Sequence, residues 1–349
     1  MREAMLYDKE AGAAVRCHVC LWRCFIRPGK VGVCGVRENH DGTLYITNYG
    51  KVSSMASDPI EKKPLYHFFP GTRAFSLGGW GCNLHCVHCQ NWEIACAVPG
   101  EGQRETMELS PQQTIDLTKE NACQGIAWTY NEPAIWLEYT LDSARLAKAA
   151  GLYTCYVTNG FITEEALDAI GPYLDAFRVD VKGFSDGFYR ELAKVIHWQG
   201  ILEAAQRAVK KWDMHVEVIT NVIPTLNDDD PQLSGLANWI VKDLGELTPW
   251  HVTRFHPQHH LLHLSATPVE TLEHAYDLGK KAGLRFVYVG NVHGHRSENT
   301  VCYSCNRVVI QRSGYQVKVL GVDGAKCKFC GAELGVRQQM RGIGGSSSG

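Results

Sequence analysis

Cys82, Cys86 and Cys89 lie in the run Gly78-Gly79-Trp80-Gly81-Cys82-Asn83-Leu84-His85-Cys86-Val87-His88-Cys89, a C-x3-C-x2-C spacing with no fourth cysteine close by. A cubane [4Fe–4S] cluster normally takes four thiolates, so three leave one iron without a protein ligand. That iron can chelate the amino and carboxylate groups of S-adenosylmethionine (SAM). An electron from the cluster then cleaves the sulfonium and releases a 5′-deoxyadenosyl radical. The competing reading is a zinc site, which needs four ligands when structural, with His85 or His88 as the fourth. The spacing favours the cluster.

The chain has 349 residues and 14 cysteines, and 11 of the cysteines fall into three groups. With 35 Lys and Arg against 37 Asp and Glu, nothing points to bulk binding of nucleic acid or an anionic surface. No stretch approaches a membrane span, and no apolar core follows a basic start near the N-terminus. The expected compartment is the cytoplasm, where thiols stay reduced and clustered cysteines read as metal ligands. Cys96, Cys123 and Cys155 stand outside the groups and read as small buried hydrophobes, Cys96 alternatively as a reactive thiol.

Cys17, Cys20, Cys24 and Cys34 open the chain, with Arg27-Pro28-Gly29-Lys30 as a turn between them. They mark an N-terminal metal-binding module over residues 1–70. Its quartet suits zinc or a second iron–sulfur cluster, and the balance falls on zinc. Cys302-x-x-Cys305 and Cys327-x-x-Cys330 resemble the two knuckles of a zinc ribbon, placed at 296–335. The remaining 336–349, ending Gly-Gly-Ser-Ser-Ser-Gly, reads as a flexible tail.

Between these modules, residues 71–295 alternate strand and helix signals. Strands are expected at 74–77, 125–129, 153–157, 177–181, 215–219, 251–255 and 285–289. Helices are expected over 134–150, after Thr163, and over 269–281 behind Pro268. Such alternation predicts parallel βα units, with functional side chains just past the strand ends.

Those ends carry polar residues. Tyr130-Asn131-Glu132-Pro133 offers Asn131 and Glu132 to an ammonium group, or simply starts a helix. Thr158-Asn159-Gly160 offers small polar groups to ribose hydroxyls or a carboxylate, or forms a plain turn. Asp180 and Lys182 alternate onto one face, where an unpaired charge is expensive. Asn221 and the backbone around Val222 and Ile223 could meet an adenine. Arg254 or His256 could meet an anionic group, while His251, His259, His260 and His263 fit no metal spacing and read as solvated loop histidines. Gly290-Asn291-Val292-His293-Gly294-His295 is placed to close the pocket.

The cysteine loop resembles the signature of the radical SAM superfamily. In combination the motifs resemble the radical SAM protein of the AmmeMemoRadiSam system, itself similar to pyruvate formate-lyase activating enzymes. The resemblance runs through the Cys17 quartet, Cys89-Gln90-Asn91-Trp92, Val157-Thr158-Asn159-Gly160, Val179-Asp180-Val181-Lys182, Arg254-Phe255-His256-Pro257, Tyr288-Val289-Gly290-Asn291 and the C-terminal cysteines. It implies an α/β fold, a partial (β/α)6-type barrel with the cluster in the loop after its first strand, and hydrogen abstraction from an unidentified substrate. It also implies SAM contacts by Asp180 and Lys182, and His88 where the superfamily often stacks an aromatic ring on adenine. Expected partners are an electron donor of flavodoxin or ferredoxin type and Memo-like and AMMECR-type proteins. Alternatives are an activase for a glycyl radical enzyme, a zinc-ribbon protein that binds nucleic acid, or a tRNA-modifying enzyme.

Overall fold

The computed structural model describes residues 1–96 and 106–342. Its centre is an eight-stranded sheet: β1 (Ser54–Pro59), β2 (Arg73–Gly78), β3 (Gly125–Trp128), β4 (Tyr153–Thr158), β5 (Ala176–Asp180), β6 (His215–Val222), β7 (Trp250–Arg254) and β8 (Val287–Gly290). The strands lie side by side in chain order. β2 to β8 are parallel, and β1 runs antiparallel on β2. The parallel strands are buried nearly throughout, their polar residues included, because helices cover them as well as neighbouring strands.

Among the described residues, the α-helices of seven or more residues are α1 (Pro111–Glu120), α2 (Leu137–Ala149), α3 (Glu164–Ile170), α4 (Gln199–Lys210), α5 (Asp230–Trp239) and α6 (Val269–Ala282). Each of the six falls between successive parallel strands. Local sequence sets their ends. Ser110 and Gln113 form a capping box on α1, and Thr163 and Asp229 cap α3 and α5. Gly283, at φ 110°, stops α6. Among the described residues, no helix is long and apolar enough to cross a membrane.

The seven expected strands correspond to β2 through β8, although β6 runs on to Val222. The expected helix over 134–150 is a 3-10 turn at Pro133–Trp136 followed by α2. β1 comes from the segment assigned to the N-terminal module, so residues 54–59 belong to the central sheet as well. Lys51–Val52 pairs instead with Met107–Glu108. The tail is not loose where it is described: the Arg337 N–H donates to His67 O (2.7 Å) and the Arg341 N–H to Asp175 Oδ1 (3.0 Å). Residues 343–349 lie outside the described residues.

At the N-terminal ends of the strands sits a buried polar knot. The Glu217 carboxylate accepts from His215 Nε2 (2.9 Å), His251 Nε2 (2.6 Å) and the backbone N–H groups of Tyr66 (3.0 Å) and His67 (2.8 Å). Burial alone would raise its pKa, but the two imidazoles hold it well below the usual carboxylate range. His251 is thus a buried structural residue, not the solvated loop histidine its sequence context suggested. His67 pairs with Tyr288 and the Leu334 carbonyl, and Arg312 donates to the Tyr66 carbonyl. These bonds seat the C-terminal module, built on Thr300–Val301, Val308–Ser313 and Gln316–Val319, at this end of the sheet.

The cysteine-bearing part of the N-terminal module docks at the opposite end, through His18, Trp22 and Arg37. Arg37 and Glu138 of α2 form a fully buried bidentate pair at 3.0 and 2.7 Å. Trp22 Nε1 donates to the Asn83 carbonyl (2.7 Å), and Thr163 Oγ1 to the His18 carbonyl (2.6 Å).

Candidate active site

β2 is buried along five of its six residues and delivers the chain to the cysteine loop at its C-terminal end. Gly81 turns the loop at φ 84°, and a Cβ there would lie 2.4 Å from the Cys34 carbonyl oxygen, so no other residue fits. Three asparagines then clamp the loop. Asn131 Nδ2 donates to the Gly81 carbonyl (2.8 Å) while its Oδ1 accepts from the Gly79 N–H (3.2 Å). Asn83 Nδ2 donates to the Phe161 carbonyl, and its Oδ1 accepts from Asn159 Nδ2, both at 2.8 Å. Asn159 Nδ2 also reaches Cys82 Sγ at 3.8 Å, and the Leu84 N–H reaches the same sulfur at 3.5 Å. Donors aimed at a sulfur favour its thiolate form.

The strand ends beside the loop hold several of the expected residues together. Asp180 accepts from Arg178 (2.6 Å) and from Lys182 Nζ (3.2 Å). Burial pushes against its charge, but the two cations keep its pKa below normal. Lys182 is half-buried, and the negative charge of Asp180 together with nearby Cys86 raises its pKa despite desolvation. His88 is buried, with its ring 6.2 Å from Phe188 and Nδ1 without a partner among the described residues. Burial, then Lys182, lowers its pKa to about 3, so the imidazole is neutral.

Other expected residues are held by partners within the chain or lie exposed. Glu132 is fully buried, and its oxygens accept from the Ala134 N–H (2.9 Å), Thr158 Oγ1 (2.7 Å) and the Asn159 N–H (2.8 Å). It ties the turn after β3 to the turn after β4, and so positions Asn159 against Cys82. Thr158 is consumed by the same tie and is itself buried. The Ile223 N–H is not free for an adenine, because Asn227 Oδ1 takes it at 2.6 Å. Asn221 Nδ2 sits within 3.2 Å of Thr253 Oγ1. His256 is exposed in the loop after β7, and Arg254 Nε is occupied by the Thr267 carbonyl. Asn291 Nδ2 donates to the Arg254 carbonyl (3.1 Å), which joins the loops after β7 and β8.

Sequence reasoning missed Arg178, although the alternation that paired Asp180 with Lys182 extends one step back to it. It also missed Asn83, for which spacing gave no signal. Cys96 is exposed, while Cys123 and Cys155 are buried as expected.

The cysteine loop fits an iron–sulfur cluster better than a single ion. Burial pushes the Cys82 thiol well up, Cys86 to about 11 and Cys89 up, so a bound cation is needed to make them thiolates. Among the described residues, no three of their ligand atoms, His85 and His88 included, draw within 4.8 Å of one another. The sulfurs of Cys302, Cys305, Cys327 and Cys330 all lie within 4.8 Å of one another, and this quartet has the donor set of a single soft ion.

Residues 79–234 match the family described as the Radical SAM superfamily. Over 338 residues the chain is 40% identical to an uncharacterized protein of Methanocaldococcus jannaschii, covering 96% of this chain and 99% of that one. It is 28% identical over 204 residues to the pyruvate formate-lyase 1-activating enzyme of Escherichia coli strain K12, covering 52% of this chain and 75% of the enzyme. The crystal structure of a radical SAM methyltransferase from Sphaerobacter thermophilus superposes on 66% of this chain and 69% of its own, with 14% identity and a TM-score of 0.47.

Proposed function

Since the chain belongs to the family of the Methanocaldococcus protein and is a radical SAM enzyme, we propose that it cleaves SAM reductively and abstracts hydrogen from a substrate held at the C-terminal ends of the strands. Cys82, Cys86 and Cys89 would hold the [4Fe–4S] cluster. Such a cluster, when bound, supplies an open iron for the amino and carboxylate groups of SAM and the electron that breaks the sulfonium bond. The observation that carries the reading is the clamped cysteine loop, with two donors on the Cys82 sulfur and the Arg178–Asp180–Lys182 triad beside it.

The chain's own residues then bind and orient. Asp180 stays ionised and offers its carboxylate to an ammonium or to ribose hydroxyls. Lys182 keeps positive charge beside Cys86. The neutral ring of His88 gives adenine an apolar face without a charge to desolvate. Asn131 and Glu132 act through the loop and through Asn159 as positioning residues. Asn221 and Ile223 would border the adenine by packing, and His256 would meet an anionic group from its exposed loop.

In this reading the sheet is a partial (β/α)6-type barrel, and the Cys302 quartet is a zinc ribbon. Its cofactors would be provided in the cytoplasm, with a flavodoxin- or ferredoxin-type electron donor. The motifs from Cys17 to Cys330 support a place in the AmmeMemoRadiSam system, beside Memo-like and AMMECR-type proteins. A second reading, activation of a glycyl radical enzyme, is favoured by the 28% identity to the pyruvate formate-lyase activating enzyme.

Anaerobic reconstitution tests the reading. Release of 5′-deoxyadenosine on reduction with SAM present is expected, and none should form in Cys86→Ala. Iron incorporation without SAM cleavage would refute it.

A further inference from the structure

We propose that Cys17, Cys20, Cys24 and Cys34 hold a second iron–sulfur cluster rather than a single zinc ion. This reverses the balance drawn from their spacing, and it rests on a comparison of two quartets within one chain. At the C-terminal quartet, Cys302 Sγ lies 3.6 Å from Cys330 Sγ, and Cys305 Sγ lies 3.8 Å from Cys327 Sγ. A tetrahedral ion with Zn–S bonds of about 2.3 Å places its sulfurs about 3.8 Å apart. That quartet is sized for one ion.

The N-terminal quartet is not. Among the described residues, no three of its sulfurs draw within 4.8 Å of one another. The four cysteines instead line a shared pocket, which Val19, Ile26 and Ile135 complete. A cluster spreads its thiolates in this way, because each binds its own iron around a core of iron and sulfide. Gly32 guards the space: a Cβ there would lie 3.2 Å from Ile26 Cδ1 and 3.6 Å from Cys24 Sγ.

Arg37 supplies the second observation. It is 1% exposed and lines the cavity. Its terminal nitrogens are spent on Glu138 and the Ile135 carbonyl, but Nε–H has no partner. A buried donor left unpaired is costly. Sulfur within the cavity would accept from it, and hydrogen bonds to cluster sulfurs are a recognised control on potential.

The site adjoins the cysteine loop through the contact of the Cys34 carbonyl with Gly81, the residue before Cys82. Standard bond lengths therefore limit Cys34 Sγ and Cys82 Sγ to a separation of roughly 16 Å or less. This placement suits an electron relay. A reduced flavodoxin- or ferredoxin-type donor gives up one electron, the N-terminal site takes and passes it, and the loop site gains it. The relay role rests on the proposed function; occupancy of the quartet does not.

The test uses the full chain carrying Cys82→Ala, Cys86→Ala and Cys89→Ala together, reconstituted anaerobically with iron and sulfide. About four irons and about one zinc per chain are expected, with an EPR signal after reduction that SAM does not alter. About two zincs and no iron would overturn the proposal. As a second variant, Cys24→Ser in the otherwise native chain should lower iron from about eight to about four or fewer. Retention of all the iron would also overturn it. A native chain that cleaves SAM while the triple variant holds no iron defeats this proposal alone. Iron in the triple variant without SAM cleavage by the native chain defeats the functional reading alone.

Discussion

Glu132→Gln keeps the size of a fully buried side chain and removes its proton. Burial drives the native carboxyl up to about 7, against the pull of the Asn159 and Ala134 N–H groups and the Thr158 hydroxyl. An unfolded glutamate titrates near about 4.3, so the folded chain holds the proton more tightly. Protonated Glu132 therefore adds stability that is fully present below about pH 4 and is lost as pH rises through about 7. At 1.36 kcal/mol per unit the whole effect is about 4 kcal/mol, of which about 2 kcal/mol disappears between about pH 5.5 and 8.5. Glutamine carries no such dependence. In urea unfolding of the cluster-free chains, followed by tryptophan fluorescence at matched metal content, the native-minus-variant difference should fall by about 2 kcal/mol across that range. Parallel profiles would show that the three donors outweigh burial and keep Glu132 ionised throughout.

Asp180→Asn should raise the Kd for SAM roughly tenfold to a hundredfold, the worth of one charge-assisted hydrogen bond, with iron content unchanged. Equilibrium dialysis decides, and unchanged affinity would leave Asp180 as a tie between Arg178 and Lys182. Glu217→Gln should cost about 3–5 kcal/mol of stability, because it removes the charge that two imidazoles and two backbone N–H groups converge on. A loss below about 1 kcal/mol in urea would refute that account. Cys302→Ala should release the C-terminal ion and lower the melting temperature while the folded fraction keeps its loop iron. Parallel loss of loop iron, by metal analysis, would contradict the separation of the two ends of the sheet.

The parallel strands were legible because each is a short run rich in β-branched and aromatic residues, separated from the next by a helical stretch. β1 was not. Ser54-Met55-Ala56-Ser57-Asp58-Pro59 has one buried residue and a terminal proline, and only its pairing with β2 makes it a strand. The three cysteine groups were legible from spacing, since a thiolate's chemistry travels with the residue. The roles of the polar residues were harder. Glu132 and Asp180 look alike in sequence, each near the C-terminal end of a strand, yet one carboxylate meets three neutral donors in the interior and the other meets two cations at the edge. Arg37 and Glu138 are 101 residues apart, and Glu217 draws donors from three separate segments. Such partnerships arise from packing, which a local pattern cannot encode.

The C-terminal quartet lies at the end of the sheet away from the cysteine loop, yet its module is bonded to the knot around Glu217 through His67, Tyr66 and Arg312. An ion that binds only the folded quartet lends its binding free energy to the whole folded chain. The supply of that ion would then set how long the enzyme persists, without touching its chemistry. Starvation for it would appear as falling abundance at constant turnover per molecule.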